Sequence, residues 1–289
     1  MTVQSFTTAH SIVDALAALA TGARPVAGGT DLVVGARAGK STMPESVVAI
    51  HRIAELQGVE TLADGGLRLG ALARHAEIAA SDDVRRQFSA LTDACAIVGS
   101  HATRSQGTVG GNLMNASPAM ETGGPLVCFG ATVTLQSGSD PREIAVEDLW
   151  EGPGRTVARD DELLVTIHVP APAPGTGSAY LRLEYRRQME IAVVGATAVV
   201  SLDGGTVARA RVAMTALSPT IRRVPEAEAA LIGTDGSAAA VEAAGAAVAA
   251  AATPISDVRG SADYRRAMAA VIARRAIERA LARARGEDA

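Results

Sequence analysis

The segment GTVGGNLMNASPA (107–119) is the most informative stretch of this 289-residue chain. It places Gly110 and Gly111 between Thr108 and Asn112. Because glycine has no Cβ, such a pair lets the backbone approach a ligand closely and adopt positive φ angles. Small polar residues follow without a regular turn period. This composition predicts backbone that lies along a ligand, with N–H groups facing phosphate and sugar oxygens; a tight loop in a β-rich domain is the alternative.

A second glycine pair occurs far upstream, in the segment AGGTD (27–31), directly after a predicted strand. The N–H groups around Gly28 and Gly29 are expected to form a small anion-binding concavity. The Thr30 hydroxyl can donate to a phosphate oxygen, and Asp31 can cap the next helix or bind a ligand hydroxyl. A purely structural turn between strand and helix is the alternative.

The two glycine pairs together favour a dinucleotide site, because two separate turns can hold a diphosphate from both sides. The sequence contains no GxGxxG segment, which a Rossmann NAD site requires, and no GxxxxGK[ST] segment of a P-loop. It also lacks HExxH, GxSxG and any cluster of metal-ligating side chains. We therefore predict no catalytic side chain and no metal site on this chain.

Hydrophobic periodicity divides the chain into units at 1–55, 56–170 and 178–289, with APAPGTG (171–177) as a linker. No helix or strand is predicted within 105–124. The predicted strands are 25–27, 47–50, 67–70, 131–136, 163–169, 193–202 and 206–216, and the predicted helices are 11–20, 76–80, 83–98, 226–232, 237–252 and 262–285.

Composition sets limits on the function. A net charge of -4 favours neither nucleic acid nor an anionic membrane as partner. The N-terminal residues have neither a basic region nor a long apolar run, so we expect no secretory signal, no membrane span and a cytoplasmic protein. Cys95 and Cys128 are too few for an iron–sulfur cluster. They are expected to be buried free thiols, with a disulfide as the alternative.

Four segments carry a family resemblance, in the same order along nearly the whole chain: AGGTDL (27–32), TVGGNLMNASPA (108–119), EYRRQMEIAVVGA (184–196) and SADYRRAM (261–268). They resemble the FAD-binding medium subunit (subunit M) of the xanthine dehydrogenase and carbon monoxide dehydrogenase family of molybdenum hydroxylases. The resemblance implies an α+β fold of vanillyl-alcohol-oxidase (PCMH) type. Two α+β subdomains would bind FAD, and a C-terminal domain would combine a three-stranded antiparallel sheet with helices.

The resemblance also implies which residues contact FAD. Glu121 stands where the family usually has aspartate, and Arg182 stands where related enzymes hold a lysine near the flavin. A guanidinium can stabilise negative charge on reduced flavin, with planar geometry in place of a point charge. The implied cofactor-binding residues are Arg24, Ala27, Gly28, Gly29, Thr30, Asp31, Val98, Thr108, Val109, Gly110, Gly111, Asn112, Glu121 and Arg182.

The function implied by the resemblance is electron transfer, with the flavin performing the redox step. Electrons are implied to leave a molybdopterin centre on a large partner subunit and to cross [2Fe–2S] clusters on a small partner subunit. This chain then passes them to a terminal acceptor, and the assembly is implied to be a dimer of heterotrimers. None of the five histidines lies in a glycine segment, so FAD is expected to be bound non-covalently.

Two other functions stay open at this stage. One is a stand-alone FAD-dependent NAD(P)H reductase of the same wider fold, in which Glu121 or Glu190 would be the acid beside the flavin. The other is an interaction protein that kept the fold and lost the cofactor, with its alanine-rich C-terminal helices as a docking surface.

Overall fold

The computed structural model describes residues 3–39, 41–138 and 140–287, and it begins with a three-stranded parallel sheet of order β1-β3-β2. Its elements are β1 (Ser5–Thr8), α1 (Ile12–Leu19), β2 (Arg24–Val26), α2 (Leu32–Arg37) and β3 (Ser46–Ala49). Ser11 begins α1 as predicted: its hydroxyl accepts the Asp14 N–H, and the Asp14 carboxylate accepts the Ser11 N–H, both at 3.1 Å.

The central sheet is antiparallel, with order β4-β5-β10-β6-β7. Strands β8 and β9, which come between β7 and β10 in the sequence, form a separate two-stranded sheet. The strands are β4 (Val59–Thr61), β5 (Leu67–Gly70), β6 (Thr132–Ser137), β7 (Asp140–Ala145), β8 (Trp150–Gly152), β9 (Arg155–Thr156) and β10 (Leu163–Val169). Ile167 pairs with Leu69 on one side and Val133 on the other, and all three are fully buried. Such cross-strand rows of apolar side chains stabilise the sheet.

Six helices lie between β5 and β6 in the described chain. They are α3 (His75–Ala80), α4 (Asp82–Gln87), α5 (Ser89–Ile97), α6 (His101–Arg104), α7 (Val109–Asn115) and α8 (Gly123–Phe129). The prediction of one helix over 83–98 is wrong, because the backbone of Phe88 leaves the helical region at φ -124° and ψ 46°. Phe88 is instead buried, and its ring packs edge-on against that of Phe129 at 5.1 Å.

The glycine-rich stretch 105–124 holds α7 and the start of α8, although no helix was predicted there. Glycine has a low helix propensity, but tertiary packing overrides a propensity of about 1 kcal/mol per residue. Thr108 caps α7 by accepting the Gly111 N–H at 3.1 Å, and Leu113 of α7 is fully buried. Capping and burial together therefore form a helix that composition alone disfavours.

The C-terminal part is an antiparallel sheet of order β11-β12-β13-β14 covered by helices. Its elements are β11 (Thr176–Leu183), β12 (Val194–Asp203), β13 (Thr206–Thr215), β14 (Arg222–Arg223), α9 (Pro225–Leu231), α10 (Ala238–Ala251) and α11 (Ala262–Ala284). The predicted strands 193–202 and 206–216 pair as an antiparallel hairpin, with Gly204 and Gly205 between them. The sheet has one short strand more than the three expected, and β11 begins at Thr176, inside the predicted linker.

Helix α11 ties this sheet to the rest of the molecule. A Cβ at Gly177 of β11 would lie 2.2 Å from both the Ala280 carbonyl oxygen and the Ala284 nitrogen, so the helix backbone rests directly on the strand. Near the end of α11, the Arg283 guanidinium binds the Asp93 carboxylate of α5 at 2.7 Å. The C-terminal helix is therefore fixed both to its own sheet and to the helices of the central part.

Two expectations concern the chain as a whole. Cys95 and Cys128 are both buried and free, which confirms the expectation of unpaired thiols. Across residues 3–39, 41–138 and 140–287, no helix combines the length and the apolar character that a bilayer crossing needs.

Candidate functional site

The segment AGGTD (27–31), here called the first glycine segment, forms the turn between β2 and α2; the segment 107–119 is called the second glycine segment. Gly29 adopts φ +68°, a left-handed conformation that favours glycine. The N–H groups of residues 28–32 donate no hydrogen bond to any group in the described chain. The Asp31 carboxylate does not cap α2. A row of free backbone donors after a left-handed residue is an anion-binding concavity of the kind that phosphates occupy.

The two glycine segments lie in contact. A Cβ at Gly28 would lie 2.0 Å from the Gln106 carbonyl oxygen and 3.2 Å from the Gly107 nitrogen. A Cβ at Gly107 would in turn lie 3.5 Å from the Thr30 hydroxyl oxygen. Only glycine at residue 28 permits this approach, so the spatial meeting that a two-sided clasp requires is present.

The segment after β5 positions the second glycine segment. The N–H groups of Val109 and Gly110 donate to the carbonyl oxygens of Ala73 and Ala71, at 2.9 and 3.0 Å. A Cβ at Gly110 would lie 2.6 Å from the Ala71 oxygen, which explains the glycine by packing. Protein carbonyls thus accept both N–H groups, and the assignment of Val109 and Gly110 to the FAD site stays a prediction.

Asn112 of the second glycine segment is held by a side-chain hydrogen bond. Its Oδ1 atom accepts the hydroxyl of Thr122 at 2.5 Å. The Thr108 hydroxyl is similarly used as the cap of α7. The side chains of Thr108 and Asn112 thus form hydrogen bonds within the protein. The free backbone N–H groups are those of the first glycine segment.

A cleft of about 510 Å³ opens where the two segments meet. Of the predicted residues, Ala27, Gly28 and Thr108 line it. The other predicted residues do not line it, and Arg24 is exposed at the start of the edge strand β2. Sequence reasoning missed the other nine residues of the wall, which share no motif, although Arg74 and Ser81 among them are the N-cap residues of α3 and α4. The full lining is Ala27, Gly28, His51, Gln57, Gly58, Val59, Leu72, Arg74, Glu77, Ser81, Gln106 and Thr108.

A buried charged cluster surrounds Arg182 of β11. Its side chain is 1% exposed and forms ion pairs with Glu121 and with Glu184, the latter at 2.5 Å. Burial raises the pKa of Glu121 to about 7, while Arg182 acts to lower it and Asp31 acts to raise it. Next to Glu121, the Thr122 hydroxyl donates to Asn112, so the charged cluster adjoins the second glycine segment.

Val98 lies at the edge of the same region, at the end of α5. Its carbonyl oxygen accepts a hydrogen bond from Arg104 Nη1 at 3.0 Å. The neighbouring Gly99 carbonyl accepts the N–H of Met189 at 2.9 Å. Met189 adopts φ 52°, so the segment 185–191 crosses this point in a sparsely populated conformation. Arg182 Nη1 donates to the Glu190 carbonyl of the same segment at 3.3 Å, so this segment connects the end of α5 to Arg182.

The histidine and the thiol of this region, His75 and Cys95, are both held in their neutral forms. Burial, with a smaller contribution from Arg104, lowers the pKa of His75 to about 4, so the imidazole is neutral at pH 7. Burial also raises the pKa of the Cys95 thiol well above its ordinary value. The Cys95 Sγ and His75 Nδ1 atoms are 3.7 Å apart, yet no thiolate–imidazolium pair forms.

The sequence matches two family models that together span nearly the whole chain. The model described as "FAD binding domain in molybdopterin dehydrogenase" matches residues 2–172. The model described as "CO dehydrogenase flavoprotein C-terminal domain" matches residues 179–280.

Curated relatives and solved structures agree with these matches. The carbon monoxide dehydrogenase medium chain of Afipia carboxidovorans is 32% identical over 95% of this chain and 96% of its own. The 6-hydroxypseudooxynicotine dehydrogenase complex subunit alpha of Paenarthrobacter nicotinovorans is 32% identical over 97% and 95%. Among structures, reconstituted CO dehydrogenase from Oligotropha carboxidovorans matches with a TM-score of 0.92 and 31% identity, over 96% of this chain and 98% of that chain.

A second solved structure extends the likeness to an enzyme named for a different substrate. Quinoline 2-oxidoreductase from Pseudomonas putida 86 matches with a TM-score of 0.90 and 27% identity, covering 97% of both chains. The α+β fold with a FAD-binding part and a C-terminal sheet is therefore confirmed. This chain belongs to the family of FAD-binding medium chains of molybdopterin dehydrogenases, and it is the flavoprotein subunit of an oxidoreductase.

Proposed function

We propose that this chain is the electron-transfer subunit of a heterotrimeric molybdenum hydroxylase. A small iron–sulfur subunit would deliver electrons that originate at molybdopterin on a large subunit, and two heterotrimers would form a dimer. The support is that relatives named as medium chains or complex subunits match over 95% or more of this chain. The terminal acceptor is left open between NAD, a quinone and another carrier.

The observation that carries the proposal is the row of free N–H groups at residues 28–32 beside the Gly28–Gln106 contact. A diphosphate placed there would receive hydrogen bonds that no protein group supplies to these donors. The wall of the cleft, which includes Gly28, contains both polar and apolar residues, as a nucleotide site requires. The residues present therefore fit a bound FAD.

We assign the diphosphate to Gly28, Gly29 and Thr30, and the ring end to the region of Val98, Glu121 and Arg182. Bound FAD supplies the redox chemistry, because a flavin can exchange electrons singly or in pairs. Arg182 holds a positive charge in a buried place, where the low dielectric strengthens its action on a nearby anion. Glu121 and Glu184 fix the guanidinium in position.

The stand-alone reductase is favoured by one observation, the raised pKa of Glu121, which suits a proton donor near pH 7. Its other candidate acid, Glu190, lies 3.4 Å from Arg186 and 3.7 Å from Arg259, so its carboxylate is paired with cations. The electron-transfer subunit remains the better account, because the matched relatives are named as chains or subunits of larger enzymes.

Co-expression with the neighbouring reading frames tests the proposal. The chain should purify yellow, and with its partners it should carry iron and molybdenum into one complex of fixed stoichiometry. Chain that is colourless and gains no absorbance on addition of FAD would overturn the proposal. Turnover of NAD(P)H with a small acceptor by the isolated chain, without any stable complex, would favour the reductase instead.

A further inference from the structure

Among the described residues that line the cleft, Arg74 supplies the one guanidinium or ammonium group. Its side chain is 53% exposed and donates no hydrogen bond within the described chain. The nearest carboxylate oxygen, from Glu77, is 3.9 Å from Arg74 Nε, which is beyond hydrogen-bond distance. The donors of this guanidinium are therefore available to a ligand.

The backbone around Arg74 is firmly placed beside the second glycine segment. Arg74 and Thr108 form an antiparallel bridge, and the next residue, His75, donates its N–H to the Gly107 oxygen at 3.2 Å. The Arg74 N–H itself donates to the Glu77 carboxylate at 2.9 Å. Arg74 thus stands on a fixed stretch of chain, and its side chain alone is free to adjust.

The first glycine segment contributes Ala27 and Gly28 to the wall of the same cleft. Gly28 lines the cleft, and the free N–H groups of residues 28–32 begin there. The other titratable groups in the wall are His51 and the carboxylate of Glu77. An anion bound in this cleft would have both the free N–H group of Gly28 and the Arg74 guanidinium in its wall.

Other arginines of the region have their donors engaged. Arg104 donates to the Val98 carbonyl, and Arg182 is bound by two carboxylates. Arg24 lies outside the cleft. Arg74 is the arginine that combines a place in the wall with free donors.

We propose that Arg74 binds the diphosphate of the dinucleotide in the cleft that it shares with Gly28, as the counter-charge of that site. The inference rests on the proposed FAD site and adds a residue that lies outside every family-like motif of the sequence. A guanidinium suits this role because its planar set of donors matches two phosphate oxygens at once. Glu77 lies beside it and limits the net positive charge, so the site favours an anion that is also hydrogen-bonded by the backbone.

Three probes of the apo chain test the proposal: FAD, ADP and riboflavin, titrated by calorimetry and by quenching of flavin fluorescence. R74A should raise the Kd for FAD and for ADP by about 10- to 100-fold, as loss of a charge-assisted hydrogen bond predicts. The Kd for riboflavin, which has no phosphate, should stay within about twofold. R74K should recover part of the affinity, and the salt dependence of ADP binding should be shallower in R74A.

R85A is the matched control. Arg85 is an exposed arginine of the same part of the chain, lies 3.6 Å from Asp82 and does not line the cleft, so its removal should leave all three Kd values unchanged. R74Q replaces R74A if the alanine variant does not fold. Unchanged FAD and ADP binding in a folded Arg74 variant, or equal losses for riboflavin, would overturn the role of Arg74. Wild-type chain that binds no FAD would instead overturn the proposed function.

Discussion

Gly28 packs so closely on Gln106 that a Cβ at residue 28 would lie 2.0 Å from the Gln106 carbonyl oxygen. This contact makes one site out of two sequence motifs that lie far apart in the chain. Gly28 also lines the cleft, and the run of free N–H groups at residues 28–32 begins with it. The absence of a side chain at residue 28 is therefore a requirement of the site.

The first prediction concerns that contact. G28A must push the backbone of Gln106 away or shift the first glycine segment, because a carbonyl oxygen at 2.0 Å cannot yield as a flexible side chain does. Overpacking of this kind costs about 1–3 kcal/mol, so FAD affinity should fall roughly tenfold or more. Fluorescence titration with FAD measures the loss, and circular dichroism checks the fold.

G152A is the control for this substitution. Gly152 has no positive φ, and a Cβ there would lie 3.6 Å from the Arg155 side chain, an ordinary contact. The control should bind FAD as the wild type does. Wild-type affinity in G28A would show that the contact does not shape the site.

The second prediction concerns Glu121 and pH. Burial raises the pKa of Glu121 from its ordinary 4.5 to about 7 in the folded protein, against the opposing effect of Arg182. Between pH 4.5 and about pH 7, the Glu121 carboxyl is therefore protonated in the folded chain and ionised in the unfolded chain. The free energy of unfolding should therefore fall by roughly 3 kcal/mol as pH rises through this window and then level off. E121Q should remove this slope in apo protein, measured by urea unfolding.

E162Q supplies a contrast of opposite sign. Hydrogen bonds from Arg142 lower the pKa of Glu162, against the effect of burial. Its stabilisation is present above the ordinary pKa of glutamate and is lost as pH falls through the lowered value. E162Q should therefore weaken the fold at neutral pH. A pH profile of E121Q that matches the wild type would contradict the prediction for Glu121.

The third prediction concerns the attachment of the C-terminal helix. Arg283 contacts the Asp93 carboxylate at 2.7 and 3.1 Å and the Ser178 carbonyl at 2.7 Å. R283A should lower the free energy of unfolding by about 1–3 kcal/mol, because charge-assisted hydrogen bonds in a partly buried place are lost. Chemical denaturation with a probe of the whole fold measures the change.

Arg266 offers the matched comparison on the same helix. It pairs with Asp263 at 3.0 Å, but both side chains are largely exposed. R266A should change stability by less than about 0.5 kcal/mol, as solvent-exposed pairs contribute little. Equal effects of the two substitutions would mean that Arg283 does not join the two parts of the fold.

The fourth prediction is that FAD is released by denaturation. His51 is the histidine of the cleft wall, while His75 is buried and neutral. No histidine lies within either glycine segment. Acid precipitation should leave all flavin in the supernatant, measured by fluorescence. Flavin that stays on the protein band of a denaturing gel would contradict this, and H51A would then identify the attachment.

Local structure followed well from the sequence where one residue decides a boundary. The predicted helix 11–20 begins at its N-cap Ser11, and the predicted strands 193–202 and 206–216 are joined by a turn at Gly204–Gly205. These are interactions between residues a few positions apart, so the linear pattern contains them. The helix α7 was missed because its stability comes from Leu113 in the core and not from the helix propensity of its glycines.

The sequence by itself determined that the glycine pairs 28–29 and 110–111 lie beside small polar residues, and which family the chain resembles. Only the tertiary structure decided that Gly28 contacts Gln106 and that the Val109 and Gly110 N–H groups donate to carbonyls of residues 71–73. It also decided that Arg74 lines the cleft while Arg24 does not. The physical reason is that a motif records neighbours along the chain, whereas a binding wall is built by backbone pairing between distant segments. Such pairing depends on packing throughout the fold.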